Sequence, residues 1–449
     1  MQRVYLYNNM VKRGTIKMIS YTYVIKDENG IHARPAAMFA QGCSNFNSTV
    51  TLTVNGKSVD AKNVTAILSL GCKQNDEIKI DIDGDDENAC FDKVMHVLDT
   101  KFNRLDTMRP LKVAFFGAKE YDKTFFVELS KDKGPGTYNV DITYFDVRLT
   151  KETVSLAKGY EAVCIFVNDE CGEDVVRKLY EYDVNLVLLR CAGFNNVDIK
   201  TCNELGITVL RVPAYSPYAV AEHGMAILQM ANRRLHKAYN KIKDNNFDLS
   251  GLLGMDLHNK VAGIIGTGKI GVCMANICKG YGMKVIGWDA YPNKQLEESG
   301  LLTYVSKEEL FQKADLISLH APLIMGEGGT YHLINKESID MMKPTAMLVN
   351  TARGGLINAE DLIDALKAGK FHAVALDVYE GEDTNVYTDL SDDIVTNDIT
   401  GRLLMFPQVV ITSHQAFFTR EALQAIATRT MENARNYVEN KDLGPAQVK

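Results

Sequence analysis

Three polar residues in the C-terminal half have the types and positions needed to reduce a 2-keto acid. Arg353 lies in the motif NTARG, Glu382 closes the motif DVYEGE, and His414 follows the apolar run VVIT. Each motif follows or contains the end of an apolar run typical of a strand, and open parallel sheets bind ligands beyond the carboxyl ends of their strands. Reduction requires a cation for the carboxylate, an acid for the carbonyl oxygen, and a partner that keeps the acid charged.

Each residue type suits one of these roles. We expect Arg353 to hold a carboxylate through paired charge-assisted hydrogen bonds, each contributing on the order of 1.5–3 kcal/mol. His414 suits the acid because imidazole titrates near neutrality, and a nearby Glu382 would favour the charged form. His320 also ends an apolar run, so on the residues alone it competes equally with His414.

A glycine-rich motif predicts a dinucleotide site. The motif GTGKIG, Gly266 to Gly271, follows the strand-like run VAGII and opens a helical stretch. Glycines let the backbone approach a pyrophosphate, and the helix N-terminus supplies unpaired N–H groups. The next strand-like run ends in Asp289, whose carboxylate can accept hydrogen bonds from ribose hydroxyls and would repel a 2′-phosphate. The predicted cofactor is therefore NAD rather than NADP.

A second candidate for chemistry lies near the N-terminus. The motif GIHARPA places His32 just before a predicted helix, with Arg34 two residues later. A phosphoryl group on this histidine would meet free helix N–H groups and a guanidinium. The alternative is a histidine that only caps or packs against the helix.

The elements around this histidine predict an α+β domain over residues 18–101. Strand patterns cover 21–26, 50–54 and 78–82, helical patterns cover 35–44, 64–70 and 87–101, and Asn55-Gly56 predicts a hairpin turn. Residues 1–17 are interpreted as an extension, and the polar stretch 102–110 as a linker.

After the linker, strands alternate with helices in two successive series. The first has apolar runs at 113–116, 140–145, 162–167, 186–189 and 208–212, and the second begins at Val261 and ends near Val409. Such alternation predicts two α/β units with parallel sheets.

Composition excludes several classes of protein. Fifty basic and 57 acidic residues give a formal net charge of −7, which disfavours nucleic acid as a partner. Nine cysteines include no CxxC pair and no Cys/His cluster, so we expect no disulfide framework and no metal site, and a reducing cytoplasm. No apolar run reaches the roughly 18 residues of a membrane-spanning helix.

The second and third units resemble the D-2-hydroxyacid dehydrogenases, most closely the D-lactate dehydrogenases. The motifs NTARG and DVYEGE and the later histidine match in order and spacing. The resemblance implies a substrate-binding Arg353 and a proton donor, His414, paired with Glu382, and it leaves His320 in a loop beside the cofactor. The expected substrate contacts are Ala192, Gly193, Tyr215, Arg353 and His414. The expected cofactor contacts are Gly266, Thr267, Gly268, Lys269, Ile270, Gly271, Asp289, Ala321, Pro322, Thr351, Arg353 and Asp377.

The same resemblance implies the domain organisation. A flavodoxin-like substrate domain would cover residues 111–215, a Rossmann NAD-binding domain 216–416, and a C-terminal return to the substrate domain 417–449. The family precedent also implies a homodimer. Phe418 stands where relatives commonly have tyrosine, which leaves the substrate preference open.

The first domain resembles the histidine-containing phosphocarrier HPr, an open-faced sandwich, through its GIHARPA motif. The resemblance implies phosphorylation of His32, supported by Arg34, and partners in the phosphotransferase system, namely enzyme I and sugar permease components. The family's regulatory serine corresponds to Asn63, so serine phosphorylation at that position is expected to be absent.

The predicted function is an NAD-dependent D-lactate dehydrogenase fused to an HPr-like phosphocarrier domain. Two alternatives stay open: a dehydrogenase for bulkier keto acids such as 2-ketoisocaproate or phenylpyruvate, and a regulatory phosphocarrier whose dehydrogenase half senses NADH.

Overall fold

A computed structural model describes residues 18–25, 30–31, 33–98, 110–131, 140–382, 386–387, 389–439 and 441–449. These residues divide into two compact units. The first holds the described residues up to Leu111 with those of Asn436–Asp442, and the second holds the others. The predicted extension 1–17 lies outside the described residues, as does the predicted linker apart from Pro110.

The first unit is a four-stranded antiparallel sheet with helices packed on one face. Its strands are β1 (Met18–Val24), β2 (Thr49–Val54), β3 (Lys57–Asp60) and β4 (Glu77–Asp83), in the order β1-β4-β2-β3. Its helices are α1 (Ala33–Ser44), α2 (Val64–Ser69) and α3 (Glu87–Val97). In β4, Ile78, Ile80 and Ile82 are buried among residues of the helices, while the alternate residues Glu77 and Lys79 are exposed. This one-sided burial confirms the predicted α+β domain and the period-two pattern behind it.

The predicted hairpin turn is confirmed, and Asn63 has a structural role that the sequence argument did not predict. Asn55 and Gly56 both have positive φ, 50° and 79°, as a two-residue hairpin turn of this hand requires. Asn63 caps α2, its side chain accepting a hydrogen bond of 3.1 Å from the Ala66 amide. Asn63 therefore satisfies one of the unpaired N–H groups of the α2 N-terminus.

The second unit contains two sheets, the first of six strands. They are β5 (Leu111–Phe115), β6 (Val140–Tyr144), β7 (Ala162–Ile165), β8 (Leu186–Leu189), β9 (Thr208–Leu210) and β17 (Gln447–Val448), in the order β17-β9-β8-β7-β5-β6. The associated helices are α4 (Glu120–Lys131), α5 (Glu173–Glu181), α6 (Ile199–Leu205) and the 3-10 helix Val154–Ala157. Every residue of β7 and β8 is buried, which is why both read as unbroken apolar runs.

The C-terminal segment joins this first sheet. β17 pairs antiparallel with β9, and Ile426 of α15 (Arg420–Val438) belongs to the core of the same sheet. The short 3-10 helix Gly444–Ala446 connects them.

The second sheet has seven parallel strands. They are β10 (Val261–Ile265), β11 (Lys284–Trp288), β12 (Thr303–Tyr304), β13 (Leu316–Leu319), β14 (Met347–Asn350), β15 (Ala373–Leu376) and β16 (Val409–Ile411), in the order β12-β11-β10-β13-β14-β15-β16. Its helices are α7 (Pro217–Asn232), α8 (Leu235–Lys243), α9 (Lys269–Gly280), α10 (Lys294–Glu298), α11 (Lys307–Lys313), α12 (Lys336–Met341), α13 (Ala359–Lys367), α14 (Asp398–Leu404) and the 3-10 helix Gly354–Leu356. Strand order reverses direction at β10, where a doubly wound sheet opens a crevice for ligands. Among the described residues, no helix combines the length and apolarity that crossing a membrane requires.

Candidate active site

The three residues predicted to do chemistry follow three neighbouring strands. Arg353 comes just after β14, Glu382 after β15 and His414 after β16, and these strands lie side by side and parallel. Their carboxyl ends therefore meet at one edge of the sheet, as the sequence pattern predicted.

Glu382 and His414 are in direct contact. The Oε1 atom of Glu382 lies 3.1 Å from Nδ1 of His414, and the two side chains are 11% and 24% exposed. The Tyr379 amide donates a 3.2 Å hydrogen bond to the other carboxylate oxygen, which fixes the carboxylate plane. With Nδ1 turned to the carboxylate, Nε2 is the nitrogen of His414 that can act on a substrate.

A second carboxylate supports the loop that carries this histidine. Asp377 is fully buried, and its oxygens accept hydrogen bonds from the hydroxyl of Thr412 and from the amides of Gln415 and Ala416, the two amides each at 2.9 Å. Nε2 of His223 lies 3.3 Å from the same carboxylate. Burial by itself raises the pKa of Asp377, but hydrogen bonds from His223, Thr412 and the two amides hold that pKa below its usual value.

The expected contact of Asp377 with the cofactor stays a prediction. Its carboxylate is enclosed by the chain segment on either side of His414, so its evident work is to hold that loop. Nothing in the local sequence marks His223 and Thr412 as partners of Asp377, because both are distant from it along the chain.

Arg353 lies against the loop predicted to bind the substrate. A Cβ atom added to Gly193 would fall 2.8 Å from Nη2 of Arg353, so a side chain at position 193 would require the guanidinium to shift. The Arg353 backbone is fixed because its carbonyl accepts a 2.9 Å hydrogen bond from the side chain of Asn350. The Ala192 carbonyl accepts a 3.0 Å hydrogen bond from Arg211, a residue that the sequence argument missed.

Tyr215 belongs to the same neighbourhood. Burial raises its pKa to about 12, opposed by the positive charge of Arg353. Its phenol is therefore protonated at neutral pH and available as a hydrogen-bond donor.

The two histidines that competed in the sequence have different surroundings. Burial lowers the pKa of His320 to about 4, and its Nε2 lies 2.8 Å from the hydroxyl of Ser318 rather than near a carboxylate. His320 is therefore neutral at pH 7 and poorly suited to give up a proton, whereas His414 has Glu382 as its partner.

The predicted dinucleotide motif forms a loop between β10 and α9. Gly266 has φ +88°, and a Cβ there would lie 2.6 Å from the Ala321 amide nitrogen. A Cβ on Gly271 would lie 2.0 Å from the Gly266 carbonyl oxygen. Gly268, by contrast, faces open space at the N-terminus of α9, directly before Lys269 and Ile270. Two glycines thus serve close packing and the third leaves room for a phosphate.

Asp289 stands at the end of β11, as predicted, and also braces this loop. Its Oδ2 accepts hydrogen bonds from the Thr267 amide at 2.6 Å and from the Thr267 hydroxyl at 3.1 Å. The Thr267 hydroxyl lies 2.8 Å from that of Tyr304, a contact that the sequence did not suggest.

Two other predicted cofactor contacts flank the loop. Ala321 packs beside Gly266 as described, and the carbonyl of Pro322 accepts a hydrogen bond from Thr330. The buried hydroxyl of Thr351 has no hydrogen-bond partner among the described residues. Because a buried hydroxyl normally has a partner, this orphan atom together with the open Gly268 fits a bound dinucleotide.

In the first unit, the predicted phosphorylation site is described only in part. His32 and the side chain of Arg34 lie outside the described residues. Gly30 has φ +65°, and a Cβ there would lie 1.8 Å from the Cys72 carbonyl oxygen. The Ile31 amide donates to that same carbonyl at 3.1 Å, so this part of the motif requires glycine at position 30.

Comparison with known proteins identifies both halves. Residues 225–416 match the family "D-isomer specific 2-hydroxyacid dehydrogenase, NAD binding domain", and residues 19–100 match "PTS HPr component phosphorylation site". The chain is 43% identical over 326 residues to D-lactate dehydrogenase of Escherichia coli, covering 73% of this chain and 96% of that protein.

Solved structures of similar proteins also point to the dehydrogenase family. The pyruvate reductase of Chlamydomonas reinhardtii aligns with a TM-score of 0.70 and 39% identity, covering 75% of this chain and 99% of that one. D-lactate dehydrogenase of Aquifex aeolicus, solved with NAD and lactic acid, aligns with a TM-score of 0.64 and 32% identity, covering 73% and 96% of the two chains.

Proposed function

Because this chain belongs to the D-isomer specific 2-hydroxyacid dehydrogenases and carries an HPr domain, we propose that it is an NAD-dependent oxidoreductase that reduces pyruvate to D-lactate. The observation that carries the proposal is the 3.1 Å contact between Glu382 and His414 at the sheet edge that also holds Arg353. Reduction of a 2-keto acid requires a cation, an acid and a partner that keeps the acid charged, and these are Arg353, His414 and Glu382.

Arg353 binds the substrate carboxylate in this proposal. Its guanidinium can form two parallel hydrogen bonds to the two oxygens, which fixes the orientation of the keto acid as well as its position. The amides of Ala192 and Gly193 would donate to the same carboxylate, since a Cβ atom added to Gly193 would fall 2.8 Å from the guanidinium. Tyr215 donates from its protonated phenol at the same side.

His414 supplies the proton. Its Nε2 donates to the carbonyl oxygen while the negative charge of Glu382 stabilises the imidazolium before transfer. Afterwards His414 is neutral and recovers a proton from solvent. Asp377 holds the loop so that Nε2 points at the substrate.

NAD fits the residues at the crevice. The Gly266–Gly271 loop and the N-terminus of α9 would hold the pyrophosphate, Asp289 the ribose, and Ala321, Pro322 and Thr351 the nicotinamide side of the cofactor. When bound in reduced form, the nicotinamide supplies the hydride that adds to C2 of the keto acid.

The domain boundaries follow the sheets. We assign residues 111–215 and 417–449 to the substrate domain and 216–416 to the cofactor domain. The return of β17 and α15 to the first sheet supports this division.

An exposed apolar surface supports a homodimer. Phe247, Leu249 and Leu253 follow α8 and are 70%, 78% and 87% exposed, and Leu235 and Ile242 of α8 are also exposed. These exposed apolar side chains follow one another along one segment of the chain, and large exposed apolar patches are typical of protein interfaces. We expect light scattering to give twice the chain mass for the unmodified protein and a smaller mass for Leu249→Asp; a monomeric unmodified protein would contradict the assignment.

For the HPr domain, we propose a phosphocarrier that accepts a phosphoryl group on His32 from enzyme I and passes it to sugar permease components. The cytoplasm suits such partners, and all nine cysteines are free thiols, as a reducing compartment allows. Incubation with phosphoenolpyruvate and enzyme I should phosphorylate the protein but not His32→Ala. Labelling of both proteins, or of neither, would contradict this role. The kinetics of the two forms with pyruvate then report whether phosphorylation affects the dehydrogenase.

The experiment that tests the reaction is a panel of keto acids. Initial rates of NADH oxidation with pyruvate, 2-ketoisocaproate and phenylpyruvate should give the highest kcat/KM for pyruvate, and the product should be the D enantiomer. A higher kcat/KM for 2-ketoisocaproate or phenylpyruvate would show that the preferred substrate is a bulkier keto acid and not pyruvate. NADH binding without turnover of any acid would favour the sensing alternative.

A further inference from the structure

Tyr387 makes a contact with the proton donor that is separate from the Glu382–His414 pair. Its phenolic hydroxyl donates a 2.8 Å hydrogen bond to the main-chain carbonyl of His414. Burial raises the pKa of Tyr387, so the hydroxyl stays protonated and can donate at every physiological pH.

The backbone at His414 needs such support. Its φ is +49°, a left-handed conformation that non-glycine residues rarely adopt because the Cβ atom then approaches the following carbonyl oxygen too closely. The His414 amide donates to the Asp377 carbonyl at 2.9 Å, and the Tyr387 hydroxyl holds the carbonyl on the other side of the same residue. Loss of either hydrogen bond would favour relaxation of this conformation and move the imidazole.

One short segment therefore holds His414 at two points. Glu382 contacts the side chain, and Tyr387, five residues later, contacts the main chain. The segment is itself closed by a 3.1 Å hydrogen bond from the Val386 amide to the Glu382 carbonyl. This hydrogen bond links the residue that contacts the imidazole to the residue just before Tyr387.

The Tyr387 ring also contacts the other sheet of the second unit. Its centroid lies 5.6 Å from that of Phe166, which follows β7 in the first sheet, and 6.4 Å from the imidazole of His414. Phe166 in turn lies 5.6 Å from Phe417. Tyr387 is thus packed between the His414 loop and an aromatic group of the substrate side.

We propose that Tyr387 is a positioning residue for the proton donor. Its hydroxyl holds the left-handed backbone of His414, and its ring packs against Phe166 and so fixes the position of the loop that carries His414. The proposal rests on the proposed function, because it assigns Tyr387 a role in proton transfer by His414. Tyr387 itself touches no reacting atom in this account. Its contribution appears in the rate of the chemical step rather than in the binding of pyruvate or NADH.

Tyr387→Phe tests this directly, because it deletes the hydroxyl and keeps the ring. We expect kcat to fall about three- to tenfold, the factor that corresponds to one net hydrogen bond, with KM for pyruvate and Kd for NADH within about twofold. The deuterium isotope effect on kcat with 4-deuterated NADH should increase, since the chemical step becomes slower.

Tyr144→Phe is the matched control. It removes a buried phenolic hydroxyl of the substrate side that has no hydrogen-bond partner among the described residues, so kcat and the isotope effect should not change. Unchanged kcat in Tyr387→Phe would overturn the proposal. So would a loss shared by Tyr144→Phe, or a parallel loss of NADH affinity and thermal stability.

The same assays separate this proposal from the proposed function. If the unmodified protein reduces no keto acid, the proposed function fails and the role of Tyr387 with it. If the unmodified protein reduces pyruvate and Tyr387→Phe matches it in rate and isotope effect, only the role of Tyr387 fails.

Discussion

Replacing Asp377 by asparagine should impair catalysis through the loop that carries His414. The carboxylate accepts hydrogen bonds on both oxygens, from Thr412 and Gln415 on one and from Ala416 on the other. An asparagine has one acceptor oxygen, so its NH2 group must face at least one of these donors. The buried position excludes water as a substitute partner.

The size of the effect follows from these contacts. If the asparagine oxygen keeps the Thr412 and Gln415 bonds, the Ala416 amide loses a charge-assisted hydrogen bond of about 1.5–3 kcal/mol. Since about 1.4 kcal/mol is a factor of ten, we expect kcat with pyruvate to fall about 10- to 100-fold. NADH affinity, measured by fluorescence titration, should change less than about threefold by the same reasoning, because no donor to Asp377 lies in the glycine loop.

Asp315→Asn provides the control for general destabilisation. Asp315 accepts a 2.8 Å hydrogen bond from the Val261 amide and pairs with Lys343 at 2.7 Å, at the amino edge of the same sheet. Its replacement should lower thermal stability and leave kcat unchanged. An equal loss of kcat in both variants would refute the positioning role of Asp377, and a large loss of NADH affinity in Asp377→Asn would restore the cofactor role expected from the sequence.

The pH dependence of stability gives an independent check on Asp377. A carboxyl group whose pKa is held down by folding stabilises the protein above its unfolded pKa, about 3.9, and the contribution is lost as the pH falls through the lower folded value. The difference in free energy of unfolding between the unmodified protein and Asp377→Asn should therefore be constant near neutrality and shrink in acid below about pH 4. A difference in the free energy of unfolding that grows in acid would contradict a lowered pKa of Asp377 in the folded protein.

Two further predictions concern the partner of the acid and the choice of cofactor. Glu382→Gln should leave a working enzyme with a lower kcat for pyruvate, because the imidazolium of His414 loses its negative partner; an unchanged kcat would remove Glu382 from the pair. The kcat/KM for NADH should exceed that for NADPH by at least about 10²-fold, because placing the Asp289 carboxylate against the 2′-phosphate of NADPH costs several kcal/mol. Asp289→Ala should lower the ratio of the two kcat/KM values. Equal use of the two cofactors by the unmodified protein would argue against Asp289 as the discriminating residue.

The sequence predicted those parts of the fold that repeat a local pattern. Alternating Ile78, Ile80 and Ile82 identified a half-buried strand, and the VAGII run before Gly266 identified the first strand of the cofactor sheet. β17 was missed because two residues carry no periodicity, and its pairing with β9 depends on contacts between distant parts of the chain.

Some residues of the candidate site could be predicted from local sequence patterns, and others could not. Arg353, Glu382 and His414 could be chosen because each follows a strand and the resemblance settles which histidine acts. The supporting contacts of His223, Thr412, Arg211 and Tyr387 could not, because nothing in their local sequence marks them and only the folded chain brings them to the site. The buried surroundings of His320, which lower its pKa to about 4, likewise depend on packing and not on sequence pattern.

The most direct test of the central claim is the single-turnover rate of NADH oxidation by pyruvate in His414→Ala. With enzyme in excess of NADH, this rate reports the chemical step without product release. We expect this rate to fall about 10²–10⁴-fold, the usual contribution of a positioned general acid, with NADH binding retained. A single-turnover rate within about tenfold of the unmodified protein, well below that usual contribution, would show that His414 is not the proton donor.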